Sequence, residues 1–300
     1  MDCCVATQGL TKTYGGTTVV DGIDLAVPRG SVYGFLGPNG AGKTTTMKML
    51  LGLVHPSAGT ATVLGTSVTV RDRVRINAHV GSLIESPSCY PHLTARENLE
   101  IIRSLRGLPA QAIDEALETV RLNHTGSKPV RAFSLGMRQR LGLAAALMGN
   151  PELLLLDEPT NGLDPAGIQE IRELIRTLPA THGCTVLVSS HLLSEIDQMS
   201  DHVGIISRGR MVWQGPLTQL HAQARGWLEL RTTDDERAAA LLGVAWSGER
   251  SIRLATCSDE KLAQLVLLLA REGIAVLRLE EHREDLEDLF LKLTGTEASL

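Results

Sequence analysis

The chain contains few aromatic residues and few cysteines. Phe, Trp and Tyr make up only 3% of its 300 residues, which is too few for a platform that stacks the bases of single-stranded nucleic acid. Its five cysteines form no C-x-x-C pair and do not cluster with histidine, so neither a disulfide framework nor a structural metal site is expected. We interpret them as unpaired thiols.

The sequence also lacks a segment that could cross a membrane. The longest apolar runs are Leu153–Leu156 and Leu265–Ala270, whereas a spanning helix needs about 20 apolar residues. A secretory signal would have a basic head followed by an apolar stretch. The start of the chain, Met-Asp-Cys-Cys, has neither. The net charge of −5 has both signs interspersed and gives no general attraction to nucleic acid or lipid. We expect a cytoplasmic protein with no nucleic-acid partner.

What the chain does contain is an alternation of strand and helix patterns. Strands are predicted at Thr17–Val20, Ile23–Val27, Ser31–Leu36, Leu153–Leu156 and Thr185–Ser189. Helices are predicted from the end of a glycine-rich loop to about Leu51, over Gly167–Leu178, and after His191. Strands separated by helices predict an α/β fold with a mostly parallel sheet.

A helical block interrupts this alternation. Between Pro87 and Gly149 the spacing is helical, with a capping box at Thr94–Glu97 opening one helix and Pro109 opening the next. We expect this α-helical subdomain, about residues 86–150, to be inserted into the sheet domain.

A boundary follows at Pro216 and the polar run His221–Arg225. Beyond it, strand and helix patterns resume at Trp227–Arg231, Asp259–Arg271, Ile274–Leu279 and Arg283–Leu293, the second and fourth being helical. The predicted domains are therefore a large one at residues 1–220 and a small α+β accessory domain at residues 226–300.

The first chemical motif is a glycine-rich loop between a predicted strand and a predicted helix. Residues 37–44, GPNGAGKT, match the phosphate-binding loop of P-loop NTPases. Glycines let backbone amides approach phosphate oxygens, and the helix N-terminus adds a partial positive charge. A chance glycine turn is the alternative, disfavoured by the flanking elements. The predicted nucleotide-binding residues are Gly37, Pro38, Asn39, Gly40, Ala41, Gly42, Lys43, Thr44 and Thr45.

Chemical roles follow from this loop and from a second motif, Asp157-Glu158. Lys43 is expected to neutralise the β- and γ-phosphates, and Thr44 to offer its hydroxyl to Mg²⁺. An apolar strand delivers Asp157 at its carboxyl end, where it would join the Mg²⁺ site, and Glu158 would polarise the attacking water. Alone, such an acidic pair is usually a solvated turn; beside a phosphate-binding loop it indicates catalysis.

Further segments resemble the ATP-binding subunits of ABC transporters. Residues 133–140, FSLGMRQR, resemble the signature motif LSGGQQQR, and residues 161–164, NGLD, resemble the D-loop. Ser190-His191 is similar to the switch-histidine segment, and Tyr14 lies where the family stacks an aromatic ring on adenine. All motifs occur in the family's order from about Val5 to Leu220.

This resemblance implies an ABC-type core, in which an antiparallel β subdomain accompanies the parallel sheet, and ATP and Mg²⁺ as cofactors. Ser134 and Gly136 would donate to the γ-phosphate of ATP held by a second subunit, so two copies would enclose two nucleotides, with Asp164 in the same site. His191 would bridge the γ-phosphate and Glu158; for an isolated residue, an ordinary surface histidine would be the better interpretation.

Two departures from the family's usual pattern stand out. Leu135 replaces a glycine of the signature motif, and Met137 a glutamine. Glu85 stands where the Q-loop has a glutamine that contacts Mg²⁺ and faces the transmembrane partner, and neutral drift is the alternative explanation. The run IESP followed by Tyr90-Pro91 resembles the loop of bacitracin- and lantibiotic-type transporters, and residues 284–294 resemble the tail of subunits that serve ABC-2-type permeases.

The resemblance implies an ATPase subunit that drives export through a separate transmembrane permease, at the inner face of the membrane. The exported substrate would be an antimicrobial peptide, a drug or a lipid-like molecule. One alternative is a soluble ABC ATPase acting on ribosomes or DNA, disfavoured because the chain has one cassette and no sustained heptads. Another is a nucleotide-binding regulator without turnover, disfavoured because Glu158 and His191 are both present.

Overall fold

A computed structural model describes residues 2–224, 226–246, 248, 251–284 and 286–294. The chain divides into two compact units, Met1–Gln219 and Leu220–Leu300. Within the described ranges, no helix combines the length and apolar character needed to cross a bilayer.

The first unit combines strands and helices that alternate along much of its length. Its strands are β1 (Cys3–Tyr14), β2 (Thr17–Ile23), β3 (Ala26–Pro28), β4 (Val32–Leu36), β5 (Ala58–Val63), β6 (Thr66–Ser67), β7 (Val80–Leu83), β8 (Leu153–Asp157), β9 (Thr185–Ser190), β10 (His202–Ser207) and β11 (Arg210–Pro216). Its helices are α1 (Lys43–Leu50), α2 (Arg73–Asn77), α3 (Ala95–Arg106), α4 (Gln111–Thr119), α5 (Leu135–Leu147), α6 (Pro165–His182) and α7 (Leu193–Met199), and α8 (Leu217–His221) spans the boundary between the units.

The central sheet has the order β11-β10-β4-β9-β8-β7. All neighbouring pairs are parallel except β10 with β11. Every residue of β8 is buried, as expected for a parallel strand covered on both faces. The carboxyl ends of β4, β8 and β9 meet at one edge, which is where open α/β sheets place their ligands. The predicted α/β fold with a mostly parallel sheet is confirmed.

A second, antiparallel sheet has the order β2-β1-β5-β6, with β3 paired to β1. One hydrophobic cluster contains buried residues of both sheets, including Val5 and Leu10 of β1, Phe35 of β4 and Leu153 of β8. The two sheets therefore share a core, and the antiparallel β subdomain implied by the resemblance is present.

The inserted region is helical, as its spacing predicts. Thr94 and Glu97 form the expected capping box at the start of α3, with the Thr94 amide donating to the Glu97 carboxylate at 2.7 Å. These bonds lower the pKa of Glu97. Helix α5 packs on β7 so closely that a Cβ on Gly81 would lie 2.0 Å from the Ala146 carbonyl oxygen, so only glycine fits there.

Several boundaries in this unit differ from the sequence prediction, including those of the expected strand Ile23–Val27 and of helix α6. The expected strand Ile23–Val27 is divided, because Ile23 pairs with Leu10 at the end of β2 while β3 begins at Ala26. Helix α6 begins at Pro165 directly after its cap, and it continues past Pro179 to His182. Proline removes only one amide from the helix ladder, and the end of α6 is set instead by Gly183 in the left-handed region.

The second unit is a small α+β structure. Its elements are β12 (Gly226–Thr232), α9 (Asp235–Leu242), β13 (Ile252–Ala255), α10 (Asp259–Arg271), β14 (Val276–Arg283) and α11 (Leu286–Thr294). The strands form an antiparallel sheet of order β13-β12-β14, and Leu228, Leu230 and Leu269 lie in its core.

The last strand and helix of this unit begin later than predicted. Ile274 is not in β14, because its amide donates to the Leu269 carbonyl and closes the turn after α10. Arg283 does not open a helix; it pairs with Gly226 at the end of β14. Cross-strand pairing with β12 thus extends the strand through a polar segment whose composition alone is equally suited to a helix.

Candidate nucleotide-binding site

The glycine-rich loop follows β4 and ends at the first turn of α1. Gly42 caps α1 with φ 107°, a conformation that glycine adopts without steric cost. A Cβ on Gly37 would lie 2.4 Å from the Ile206 carbonyl oxygen, and one on Gly42 would lie 2.7 Å from the Val19 carbonyl oxygen. The loop is therefore pressed against neighbouring backbone at Gly37 and Gly42, where only glycine fits, and the backbone conformation at Gly42 also favours glycine.

Lys43, the first residue of α1, is almost fully buried, with 5% of its surface exposed. Its ammonium donates to the carbonyl oxygens of Gly37 at 2.6 Å and Pro38 at 3.2 Å. The same Nζ lies 3.2 Å from Oε1 of Glu158. A buried cation is thus held beside the loop by two carbonyls and one carboxylate, the pairing that a buried charge requires.

Thr44 and Asp157 meet although 113 positions separate them. The Thr44 hydroxyl donates to Oδ2 of Asp157 at 2.7 Å. The other oxygen, Oδ1, accepts from the hydroxyl of Ser189 at 2.6 Å. Asp157 is 4% exposed, so its charge is buried and stabilised by two hydroxyl donors.

Glu158 is held between Lys43 and His191. Its Oε2 lies 3.1 Å from Nδ1 of His191, and its amide donates to the Ser189 hydroxyl at 3.0 Å. Its φ of +47° is in the left-handed region, an unfavourable conformation for a non-glycine residue that surrounding contacts must maintain. The strand end therefore turns sharply after Asp157 and directs the next carboxylate toward both the lysine and the histidine.

The Thr44 hydroxyl and the Asp157 carboxylate provide oxygen ligands of the kind that Mg²⁺ prefers. No group of three or more His, Cys, Asp or Glu side chains in the described part of the chain is arranged to hold a metal by itself.

Glu85 follows β7 and contacts α1. Its Oε1 accepts from the Lys48 ammonium at 2.5 Å, with 64% of the Glu85 side chain and 31% of the Lys48 side chain exposed. Its φ is +64°. Lys48 lies one helical turn beyond Thr44, so Glu85 is placed next to α1, where its contact is an ion pair with Lys48.

The signature and D-loop residues form a second region. Ser134 caps α5 and Asp164 caps α6, each accepting from the amide three residues on. Together with Gly136 they line a cavity of about 450 Å³ that includes no residue of the phosphate-binding loop. A Cβ on Gly162 would lie 3.0 Å from Cδ2 of Leu135. Leu135, the departure from the usual signature, is therefore packed against the D-loop.

Arg140 of α5 and Glu170 of α6 form an ion pair, and both residues line this cavity. Burial lowers the pKa of Arg140, nearby Arg121 lowers it further, and Asp164 raises it.

Tyr14, the predicted adenine contact, lies at the end of β1, with 48% of its surface exposed. The Lys12 ammonium lies 4.8 Å from its ring centroid.

The sequence motifs did not include Ser189, which contacts both Asp157 and Glu158. Ser189 lies opposite Asp157 in the parallel pairing of β8 and β9. A small polar residue at the end of a strand predicted to follow the catalytic strand is the signal that could have identified it. The structure thus brings together Lys43, Thr44, Asp157, Glu158 and His191. Glu85 lies beside Lys48. The signature residues lie apart from this cluster, around a separate cavity.

A phosphate-binding loop after β4, a histidine directly after the neighbouring strand β9 and an acidic pair at the end of the next strand, β8, define a P-loop NTPase of the ATP-binding cassette class. Comparison with known proteins agrees with this class. A family model described as ABC transporter matches residues 20–161.

Curated relatives extend the match beyond that range. The bacitracin transport ATP-binding protein BcrA of Enterococcus faecalis is 42% identical over 98% of this chain and 97% of its own length. The lantibiotic transport ATP-binding protein SrtF of Streptococcus pyogenes is 43% identical over 68% of this chain and 87% of its own length. The solved structure of cbiO1 from Clostridium perfringens, part of the ABC transporter complex cbiONQ, is 27% identical, with a TM-score of 0.68 over 74% of this chain and 92% of that one.

The chain belongs to the ABC transporter family and is one of its ATP-binding subunits. It binds ATP and hydrolyses it to ADP and phosphate.

Proposed function

We propose that this ATPase powers the export of a peptide antibiotic through a separate transmembrane permease. The observation that supports the motor is the hydrogen-bonded cluster of Lys43, Glu158 and His191 beside the phosphate-binding loop. The observation that supports the substrate is similarity to BcrA over nearly the whole chain.

Each residue of the cluster has a proposed role. The Lys43 ammonium neutralises the β- and γ-phosphates, together with the loop amides. Glu158 polarises the attacking water, and His191 fixes the orientation of that carboxylate. Thr44 and Asp157 hold Mg²⁺, which supplies charge neutralisation at the phosphates when bound. Tyr14 provides a stacking surface for adenine.

The second proposed step is the pairing of two copies. Ser134, Gly136 and Asp164 surround a cavity distinct from the phosphate-binding loop, and helix N-termini are suited to anions. A head-to-tail dimer would bring this cavity onto the nucleotide of the other subunit. Closure on ATP and reopening after hydrolysis would then pass rigid-body motion to the permease.

Coupling to the permease is proposed to involve the loop that carries Glu85. The chain would act as a peripheral protein on the cytoplasmic face of the membrane. Residues 1–220 would form the ATP-binding domain, with residues 86–150 as its helical subdomain, and residues 226–300 an accessory domain.

Bacitracin sensitivity of the host tests the substrate. Cells lacking this chain are complemented with wild type or with Glu158→Gln at equal protein levels, and the inhibitory concentration of bacitracin is measured beside that of a lantibiotic. We expect wild type alone to restore bacitracin tolerance. Equal bacitracin tolerance with both versions would overturn the proposal. If wild type restored tolerance to the lantibiotic alone, the proposed substrate would be a lantibiotic and not bacitracin.

A further inference from the structure

The first unit contains a buried carboxylate that the roles above do not use. Glu195, in the first turn of α7, is 4% exposed. Its Oε2 accepts from the hydroxyl of Thr160 at 2.8 Å and from the hydroxyl of Ser190 at 2.7 Å. Thr160 and Ser190 are themselves 3% and 2% exposed. Burying a carboxylate costs free energy unless hydrogen bonds compensate for the lost water. We therefore expect the buried position of Glu195 to serve a function.

The two donors lie on the chain segments that carry the proposed water-activating pair. Thr160 lies two residues after Glu158, and Ser190 directly precedes His191. Glu158 and His191 meet at 3.1 Å. The contacts therefore close a ring that runs from Glu158 along the chain to Thr160, through Glu195 to Ser190, and along the chain to His191.

We infer that Glu195 is a positioning residue that sets the contact between His191 and Glu158; this inference rests on the proposed roles of those two residues. Glu158 has a left-handed conformation, with φ +47°. Contacts on both sides are needed to maintain it, because a strained residue keeps its conformation only when its surroundings enforce it. Ser189 holds the amide of Glu158, and Thr160 anchors the chain beyond it.

The ring also reaches the phosphate-binding loop. The carbonyl oxygen of Ser190 accepts from the Gly37 amide at 3.3 Å, so the residue that binds Glu195 is fixed to the first glycine of the loop. This contact is made by backbone and does not depend on Glu195. Loss of Glu195 should therefore disturb the geometry of the carboxylate and histidine while leaving nucleotide affinity intact.

The test compares side-chain pairs that keep or remove these hydrogen bonds. Glu195→Met removes the acceptor, and Glu195→Gln retains an acceptor oxygen. Thr160→Val replaces one donor by a methyl group, and Thr160→Ser retains it. Each variant of the full chain is assayed for single-turnover ATP hydrolysis and for KM, with the melting temperature as the check on folding.

We expect Glu195→Met and Thr160→Val to lower the hydrolysis rate by about tenfold or more, because small misplacements of catalytic groups are costly, with KM for ATP essentially unchanged. Glu195→Gln and Thr160→Ser should retain most of the rate. In a His191→Ala background, Glu195→Met should lower the rate by no more than about twofold further, since effects transmitted through one shared contact are not additive.

A folded Glu195→Met chain with an unchanged rate would overturn the inference. So would an equal fold-loss with and without His191, or a rise in KM alone. If Glu195→Met does not fold, the comparison of Thr160→Val with Thr160→Ser decides in the same way. Full activity of His191→Ala and Glu158→Gln would instead refute the proposed roles of the pair.

Discussion

Two regions of the first unit carry the motifs of an ABC ATPase, and they are built differently. Around the phosphate-binding loop, side chains bond to one another: Lys43 to Glu158, and Thr44 to Asp157. Around the signature motif, Ser134 and Asp164 cap helices and face a cavity of about 450 Å³. The first region is a connected network, whereas the second is a concave surface suited to an external anion.

This difference indicates that the two regions have different roles in ATP hydrolysis. Charged residues expected near the reacting phosphate are buried or half-buried and bond to one another, which keeps their geometry without a partner. Residues proposed to act on a second subunit's nucleotide lie where another molecule can approach them. Each chain would thus bring one preorganised half-site and one docking half-site.

The largest expected effect is on the connected region. Lys43→Ala removes the cation held by Gly37, Pro38 and Glu158, and we expect ATP hydrolysis to fall by about a hundredfold or more. The exposed Lys261 provides a matched control, because Lys261→Ala removes the same charge in the other unit. Equal phosphate release by the two variants would show that the network around the phosphate-binding loop is not required for hydrolysis.

An intermediate effect is expected where Leu135 meets the D-loop. Gly162→Ala should lower the free energy of unfolding by about 1 kcal/mol for its φ of +74°, and more because the new Cβ would lie 3.0 Å from Leu135. Gly183 has φ +65° and open space around it, so Gly183→Ala reports the conformational strain alone.

Urea unfolding measures both variants. The excess cost of Gly162→Ala over Gly183→Ala should shrink in a Leu135→Gly background, where the contact is absent. An excess that persists without Leu135 would show that this side chain does not join the signature motif to the D-loop.

The smallest effect on stability is expected at Glu85. Its ion pair with Lys48 is largely exposed, so Glu85→Gln should change the free energy of unfolding by about 0–1 kcal/mol. We predict that it nevertheless alters ATP hydrolysis, because a carboxylate and an amide differ in their interaction with Mg²⁺ and phosphate. Identical hydrolysis curves across a Mg²⁺ titration would count against a role for Glu85 in coupling.

Prediction from the sequence was most successful where residue type is dictated by local chemistry. The loop at residues 37–42 requires glycines, an apolar run delivers Asp157, and the capping box at Thr94 opens α3. Each of these signals is contained within a few residues. They were sufficient to predict the phosphate-binding loop, whereas the fold class was predicted from the alternation of strand and helix patterns along the chain.

Long-range pairing was harder to predict. Strand β1 was not predicted, because its partners β2, β3 and β5 stabilise a sequence with weak alternation. The extension of β14 to Arg283 depends likewise on pairing with β12. In the site, the sequence motifs did not include Ser189 or Glu195, and the fold places them beside Asp157, Thr160 and Ser190.

The central claim is that each nucleotide site combines the phosphate-binding loop of one copy with the signature motif of another. Lys43→Ala disables the first half-site, and Ser134→Arg disables the second. Mixing the two inactive chains should restore hydrolysis to about one quarter of the wild-type rate, because half of randomly formed dimers contain one intact site. A mixture no more active than its separate components would contradict the claim.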